Sequence, residues 1–463
     1  MSTRQQKFII LFSFIGLFIF GCIGQTQKAE QTVNVAAPQT TIGGGNVAGD
    51  QINIGGQGHN VNIYTEKIEN LQLNVNGENI NVIFITSSKF ENAINSIKSG
   101  NTAQAVKEFE KIQQENPKDI DALFNLGNAY LVNNEYDKAI ENYTKVLELK
   151  SDYNYAYIMR GIGYTTTGEY DKAIADYNKA IELNPDDAVS YIGRGITYDY
   201  KGEYTQAISD YNKAIELKPD IVEGYRQKGN TYFKQGEFDK AIDNYSKAIE
   251  LKPTYIDAYN NRGNAYRNKK EYDKAIADFN KIIELRPDYI NAYNNRGATY
   301  DSKGEYDKAI ADYNKAIELK PDDALAYNNR GNAYNHKGEY DKAIADYNKA
   351  IELQPDYADV YWNLSWFYIC LKEYDKSLQV ANKALQLDPT LILVKINIGH
   401  AYLLKGEYTK ALDVYKEGFG IKIGDKAFQQ YILEDFETFK KKGIIHPDMD
   451  KIEKIIKELN TVK

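Results

Sequence analysis

Glycine and proline recur along this chain at one fixed step. Gly127, Gly161, Gly195, Gly229, Gly263, Gly297, Gly331 and Gly399 are spaced by 34 residues or a multiple of 34, and so are Pro185, Pro219, Pro253, Pro287, Pro321, Pro355 and Pro389. A period of that length specifies a stacked array, because one two-helix unit cannot bury its apolar face alone. The clearest copy covers residues 324–357 and reads ALAYNNRGNAYNHKGEYDKAIADYNKAIELQPDY.

Counting positions 1 to 34 from Ala324, Tyr327 is position 4, Arg330 position 7, Gly331 position 8 and Tyr334 position 11. Ala343, Tyr347, Ala350 and Pro355 are positions 20, 24, 27 and 32. The apolar set has helical spacing on two successive helices. Gly338 falls between them, where a left-handed helix end costs glycine little. Glu339 and Asp341 bring negative charge to the start of the second helix, and Pro355 stops it. This pattern resembles the tetratricopeptide repeat, with tyrosine where that family often has tryptophan at position 4. The resemblance covers roughly residues 90–420 and recurs about nine times. It implies an all-α, right-handed superhelix whose first helices line a concave groove.

Composition narrows the function classes. A chain of 463 residues with 43% hydrophobic content can bury a large elongated core. Most of the 39 tyrosines fall at positions 4, 11, 17 and 24, so they read as packing residues first. A net charge of −8 without long basic runs argues against a nucleic-acid partner. Two cysteines, Cys22 and Cys370, are too few for a disulfide framework.

Residues 1–24 read as a targeting segment. Arg4 and Lys7 precede an apolar run over residues 8–20, followed by Gly21, Cys22 and Ile23. The stretch Ile19-Phe20-Gly21-Cys22 resembles a prokaryotic lipobox, which implies lipidation of Cys22. An uncleaved membrane anchor is the alternative, although the run is short for a span of ~20 residues. Both readings tether the chain to a membrane with the repeats outside. Residues 25–41 read as a spacer. Over residues 42–88 the period falls to two, in Ile52-Asn53-Ile54, Val61-Asn62-Ile63, Leu71-Gln72-Leu73 and Ile80-Asn81-Val82. Such alternation argues strands, and Asn76-Gly77 is a hairpin signal. The glycine clusters there are no phosphate loop, since no Lys-Ser/Thr and no helix pattern follows. A spacer or self-association module is expected.

The array is expected over residues 89–420, as a degenerate first repeat and nine full ones, and residues 421–463 as a helical cap over its open end. Catalytic chemistry finds no residues to stand on. His59, His336, His400 and His446 are far apart, and no pair has metal-ligand spacing. Cys370 has no histidine placed to activate it. No cofactor and no small-molecule substrate are implied.

Binding information lies at the positions that line the groove in the family, namely 2, 5, 6, 9, 12 and 13. Repeats two and three put Tyr155, Ile158, Ile162, Val189, Ile192 and Ile196 there, and apolar rows facing solvent need a partner or a cover. Repeats five to seven offer amides instead, in Asn260, Asn261, Asn264, Asn294, Asn295, Asn328, Asn329 and Asn332. Repeats eight and nine return to apolar groups, with Trp362 and Trp366 one helical turn apart. The apolar ends are candidates for selectivity pockets or for cover by this chain's own terminal segments. Position 6 is Asn125, Asn261, Asn295, Asn329, Asn363 and Asn397. An amide offers both donor and acceptor, so a ladder of them can hold an extended backbone without reading side chains. The ladder resembles that of the repeat superhelix in O-linked N-acetylglucosamine transferases. Some relatives capture C-terminal carboxylates. Arg226, Asn230 and Asn261 match that clamp, but Asn291 and Asn295 stand where lysine and arginine belong.

One covariation lies within the chain itself. Arg160, Arg194, Arg262, Arg296 and Arg330 at position 7 accompany Asp176, Asp210, Asp278, Asp312 and Asp346 at position 23. Where position 7 is Leu126, Leu364 or Ile398, position 23 is Asn142, Val380 or Val414. Contact between the two helices of a repeat is expected. The expected function is a membrane-tethered adaptor for protein or extended polypeptide; a structural envelope subunit that self-associates through the β-rich module is the alternative.

Overall fold

The computed structural model describes residues 67–75, 78–423 and 426–461. Cys22, the targeting segment, the spacer and most of the β-rich stretch lie outside these residues. The described chain is an array of helical pairs, preceded by one hairpin and followed by two further helices. It divides into two compact units, one within Gln25–Asn261 and one within Arg262–Lys463.

The 34-residue punctuation sets the elements. In the repeat at 324–357 the first helix is Ala324–Lys337 and the second Tyr340–Leu353. Gly338 ends the first helix at φ +80°, the left-handed conformation that a Cβ disfavours. Asn134, Lys270 and Lys372 adopt the same conformation at the same position without being glycine, at φ 62–63°. Asp323 caps the first helix by accepting the Leu325 amide. Leu353 ends the second helix two residues before Pro355.

Packing within a repeat turns on positions 8 and 24. A Cβ on Gly331 would lie 2.8 Å from the Tyr347 ring, so only glycine admits the tyrosine that fills the space between the helices. Tyr143, Tyr177, Tyr211, Tyr245, Tyr313, Tyr347 and Tyr415 are buried at this place, and Phe279 replaces tyrosine in repeat five. The tyrosines at positions 4, 11 and 17 pack against the core as expected, Tyr130, Tyr259 and Tyr293 being buried outright. Tyr327, Tyr334 and Tyr340 are half-buried against the cluster of Ala343, Tyr347 and Leu364, and the Arg330 guanidinium lies over two of these rings, at 5.3 Å from Tyr327 and 5.9 Å from Tyr334.

In the N-terminal unit, β1 (Lys67–Val75) pairs antiparallel with β2 (Glu78–Thr86), with Ile68 opposite Ile85. Val82, Phe84 and Ile85 join Phe90, Phe109, Ala122 and Phe124 in one buried cluster, so the hairpin covers the first repeats. In the C-terminal unit, a short pair of strands, β3 (Lys422–Ile423) and β4 (Lys426–Ala427), leads into helices Phe428–Lys441 and Met449–Thr461. Phe428, Ile432, Phe436 and Phe439 are buried against Ile369, Ile396 and Leu403. No helix among the described residues is long and apolar enough to cross a membrane.

Candidate peptide-binding face

The Arg–Asp pairs organise each repeat that has them. Arg330 Nε donates to Asp346 Oδ2 at 2.7 Å and Nη2 to Oδ1 at 2.7 Å. The same two-point fork joins Arg160 to Asp176, Arg194 to Asp210, Arg262 to Asp278 and Arg296 to Asp312. A third bond, which the sequence did not suggest, reaches back to position 25 of the preceding repeat. Arg194 Nη1 donates to Asn178, Arg296 to Asn280, Arg330 to Asn314 and Arg160 to Thr144. Each of these arginines therefore ties three helices together.

Burial pushes the Asp176, Asp278 and Asp312 carboxyls above their ordinary value, and the guanidinium pulls back only part of the way. On the other side, burial works against the Arg160 and Arg296 guanidiniums, but the aspartate outweighs it and holds them above the arginine value. Both partners are shifted upward, which disfavours the charged aspartate and favours the charged arginine; the pair is ionic, because arginine stays charged and the fork needs a carboxylate acceptor.

The amide residues divide. Asn261 and Asn363 at position 6 are half-buried, and each reaches to the preceding repeat: Asn261 Nδ2 donates to Asn230 at 2.9 Å and Asn363 Nδ2 to Asn328 at 3.0 Å. Asn295 is half-buried as well, and so is Asn260, which donates to Asn261 at 3.3 Å. Asn294, Asn328 and Asn329 depart from the expected open ladder, since all three are buried. Asn294 is turned toward the Asp323 carboxylate and Asn328 toward Asn329. Asn397 is buried too and donates to Ser365 Oγ at 2.7 Å.

The apolar candidates also need correction. Ile158 and Ile192 do not face solvent. Ile158 packs with Ala173, Tyr177 and Ala180, and Ile192 with Ala188 and Ala214, because position 5 is turned toward the second helices. Tyr155 is half-buried beside the cluster that the hairpin joins. Trp366 is stacked on Phe439 of the C-terminal helices, with ring centroids 5.0 Å apart and planes 16° apart. Trp362 packs beside Val394 and Ile398. At repeats eight and nine the cover is this chain's own C-terminus. Of the residues that match the carboxylate clamp, Arg226 is bound to Glu223 at 2.5 Å, and Asn230 accepts from Tyr245 and Asn261.

One amide meets an extended strand. Asn125 Oδ1 accepts the Ile85 amide at 2.9 Å, and Asn125 Nδ2 donates to the Ile85 carbonyl at 2.8 Å. Both groups of one peptide residue on the outer edge of β2 are thus held by a single position-6 asparagine, as a neighbouring strand would hold them. Asn125 is completely buried by this contact.

Position 9 also carries a polar role that reading the sequence missed. Tyr143, Tyr245 and Tyr347 donate their hydroxyls to Asn128, Asn230 and Asn332 at 2.7, 2.8 and 2.7 Å. In repeat nine His400 takes that place, 2.6 Å from the Tyr415 hydroxyl and 3.1 Å from Asp435. The signal was available as asparagine at position 9 in repeats that carry tyrosine at position 24. Among the described residues no group of three or more His, Cys, Asp or Glu gathers to hold a metal ion.

Stacked helix pairs with a spine of glycine against tyrosine define an all-α solenoid of the scaffold type. Sequence profiles described as tetratricopeptide repeat match residues 120–153, 155–187, 256–289, 290–323 and 324–357, and further ones match 176–209 and 358–391. A TPR repeat profile matches 200–236 and 229–269. Together they span well over half of the chain, which belongs to the tetratricopeptide-repeat family. Among solved structures, YrrB, a TPR protein with an unusual peptide-binding site, is 28% identical, covering 40% of this chain and 96% of that one, with a TM-score of 0.34. MamA is 33% identical over 37% of this chain and 93% of that one, with a TM-score of 0.34. The C-terminal part of a repeat protein from Cytophaga hutchinsonii is 26% identical over 50% and 95%, with a TM-score of 0.41. No curated protein matches the chain.

Proposed function

We propose that this protein is a non-enzymatic scaffold, tethered to a membrane on its extracytoplasmic side, that holds extended polypeptide against the first helices of its repeats. The observation that carries this reading is the bond pair between Asn125 and Ile85. It is the contact expected between a position-6 amide and a peptide in extended conformation, made here with the chain's own strand. Asn261 in the N-terminal unit, and Asn295 and Asn363 in the C-terminal unit, have the same position and remain half-buried. A side-chain amide holds a backbone without reading its sequence, so binding is tolerant of the client's side chains there.

Crosslinking in cells from photoreactive residues at positions 291 and 359, position 2 of the repeats that carry Asn295 and Asn363, tests this. Clients trapped from those sites and weakened by Asn295→Ala with Asn363→Ala support it. Equal capture by the double variant, with loss on changing second-helix surface residues, refutes it. The tether rests on the order of charge, apolar run, glycine and cysteine at residues 4–22. Mass spectrometry of the native N-terminus decides it: a chain starting at a lipid-modified Cys22 is expected, and an unmodified Cys22 in a chain starting at Met1 or Ser2 excludes lipidation. Because one acyl chain binds only marginally, stable attachment requires more than one. Self-association through the β-rich stretch is less favoured, since Val82, Phe84 and Ile85 are already buried on the repeats.

A further inference from the structure

Two kinds of polar tie join one repeat to the next in the C-terminal unit. The first is the third arginine bond, from position 7 back to position 25, made by Arg296 to Asn280 and by Arg330 to Asn314. The second is a lysine at position 14 that meets the aspartate at position 18 of the repeat before. Lys303 lies 2.7 Å from Asp273, Lys337 2.6 Å from Asp307 and Lys405 2.5 Å from Asp375. Between repeats seven and eight both are missing. Leu364 holds position 7 and Leu371 position 14. Leu371 is 38% exposed, and Asp341, which a lysine there would meet, has no ion pair among the described residues. In the N-terminal unit the joint of repeats three and four also lacks both, with Lys228 and Gln235 at these places. There Asp199 replaces them, holding Thr231 and Lys234 of the next repeat.

A wedge stands at the same joint. Position 10 faces the second helix of the repeat before: a Cβ on Gly163 would lie 2.9 Å from Ile140, and Ala333 packs with Ile310. That position is Ala265, Thr299, Ala333 and Ala401 in the other repeats of the C-terminal unit, but Phe367 in repeat eight. The Phe367 ring meets Tyr340 edge-on, with centroids 5.3 Å apart. Helices Tyr340–Leu353 and Ala358–Cys370 run close together over a shorter stretch than the equivalent helices at the joints on either side. A phenyl group where the packing provides for a methyl holds two helices apart.

The flanks are firm by comparison. Repeats five to seven carry both ties. Repeats eight and nine share the Lys405 bridge and the bond from Asn397 to Ser365, and the C-terminal helices grip both through Phe439 on Trp366 and Asp435 at His400. Apart from the linker bond of Tyr361 to Pro355, one side-chain hydrogen bond crosses the joint among the described residues, from Asn363 to Asn328. Lys442 spans it from the end of helix Phe428–Lys441, 3.8 Å from Cys370 Sγ and 5.9 Å from the centre of the Tyr340 ring. It is an exposed side chain that bends with the joint rather than fixing it. A stacked array gives way at its weakest neighbour interface, because its stability is a sum over such interfaces. We propose that the joint between repeats seven and eight is a hinge, about which repeats eight and nine turn together with the C-terminal helices as one body. The turn parts Asn363 from Asn328 and so changes what position 6 offers on the first-helix face.

The test is electron–electron distance measurement on the full chain in detergent, with spin labels on encoded unnatural residues, since Cys22 and Cys370 bar labelling through cysteine. Sites 277, 345 and 413 are all position 22 and exposed on second helices. The pair 277/345 spans repeats five to seven, and 345/413 spans seven to nine across the hinge. The 345/413 distribution is expected to be the broader one. Leu371→Lys restores the missing bridge to Asp341 at an exposed site, and Leu364→Arg with Val380→Asp restores the fork and its tie to Asn348. Each is expected to narrow the 345/413 distribution, and all three changes together to bring it to the width of 277/345, with unchanged helical circular dichroism. Leu371→Lys touches no buried group, so it decides the matter if the buried fork does not fold. Equal widths in wild type overturn the hinge. A broad 345/413 distribution that Leu371→Lys leaves unchanged overturns its assignment to this joint.

Discussion

Arg296 and Asp312 meet through two parallel hydrogen bonds, of 2.8 Å from Nε and 2.6 Å from Nη2, between the first and second helices of one repeat. The aspartate is 6% exposed, and the third nitrogen of the arginine is bonded to Asn280 in the repeat before. The pair is therefore a fixed joint rather than a surface contact, and it recurs in five repeats.

Removing one member of that joint is expected to be costly. Arg296→Leu or Asp312→Ala alone should lose on the order of 3–5 kcal/mol, because an uncompensated charge stays buried. The double change Arg296→Leu with Asp312→Val copies the apolar pairing of Leu364 and Val380 in repeat eight, and should recover most of the loss. Denaturant unfolding of the four proteins checks this. Losses within the ~0–1 kcal/mol of an exposed pair would show that the fork holds nothing.

The tyrosine hydroxyls are expected to differ between repeats. Tyr347→Phe breaks the bond to Asn332 and leaves a buried amide oxygen short of its donor, at a cost of about 1–3 kcal/mol. Tyr313→Phe removes a hydroxyl that has no partner among the described residues, so it should be neutral or stabilising. Thermal unfolding of the two variants side by side separates them, and equal destabilisation would contradict the difference.

How much of this was legible beforehand differs from residue to residue. Gly331, Gly338 and Pro355 fix where helices meet, end and stop, and each acts locally, so a linear reading reaches them. Arg330 and Asp346 are 16 residues apart, but five changing copies within one chain act as their own comparison. The bond between Asn332 and Tyr347 was not read, because asparagine at position 9 looks like a solvated amide and tyrosine at 24 like packing. Only the fold turns them toward each other. Ile158 and Ile192 were misjudged for a related reason: the face that position 5 presents depends on the angle between helices, which the 34-residue period does not state. The cover over Trp366 comes from Phe439, 73 positions further on and outside the repeat phase.

The C-terminal cover should report its own release. Phe439 is completely buried between Trp366 and His400. Phe439→Ala should cost about 3–5 kcal/mol locally and loosen helix Phe428–Lys441 from the last repeats. The only tryptophans are Trp362 and Trp366, so emission should shift to the red at denaturant concentrations that leave most of the helical signal intact. Coincident loss of fluorescence and helicity would mean that the cover does not act as a separate layer.

One histidine should give the C-terminal unit a pH dependence. His336 Nδ1 lies 2.9 Å from the buried Asp301 carboxylate and its ring 5.4 Å from Tyr306. Asp301 raises the imidazole above its ordinary value, against burial and the more distant Lys442 charge. A raised folded-state value stabilises the fold fully below the unfolded pKa of about 6.5, and the gain is lost as pH rises through the folded value. The side chain is 42% exposed, so the effect is modest. Stability should fall on going from pH 6 toward pH 8, and His336→Asn should flatten that slope. An unchanged slope in the variant would assign the dependence elsewhere.

Asn125 offers the most direct test of how this face treats a peptide. Its two bonds to Ile85 satisfy both polar groups of a buried backbone residue. Asn125→Ala leaves the Ile85 amide and carbonyl without partners in a cluster that excludes water, so the loss should reach roughly 1–3 kcal/mol for each group. Asn125→Asp keeps an acceptor for the amide but sets a carboxylate against the carbonyl, and should be worse than alanine, since a buried charge without a cation is added to the lost donor. Asn125→Gln keeps both functions on a longer arm and should lose least if the strand can shift to meet it. Hydrogen exchange at Ile85 reads the outcome directly: protection should fall in the order wild type, glutamine, alanine, aspartate, ahead of any change in the repeats from Asn154 onward. If Ile85 stays as protected in the alanine variant as in wild type, the apolar contacts of Val82 and Phe84 alone hold the strand. A position-6 amide elsewhere in the array would then have no claim to hold a client's backbone.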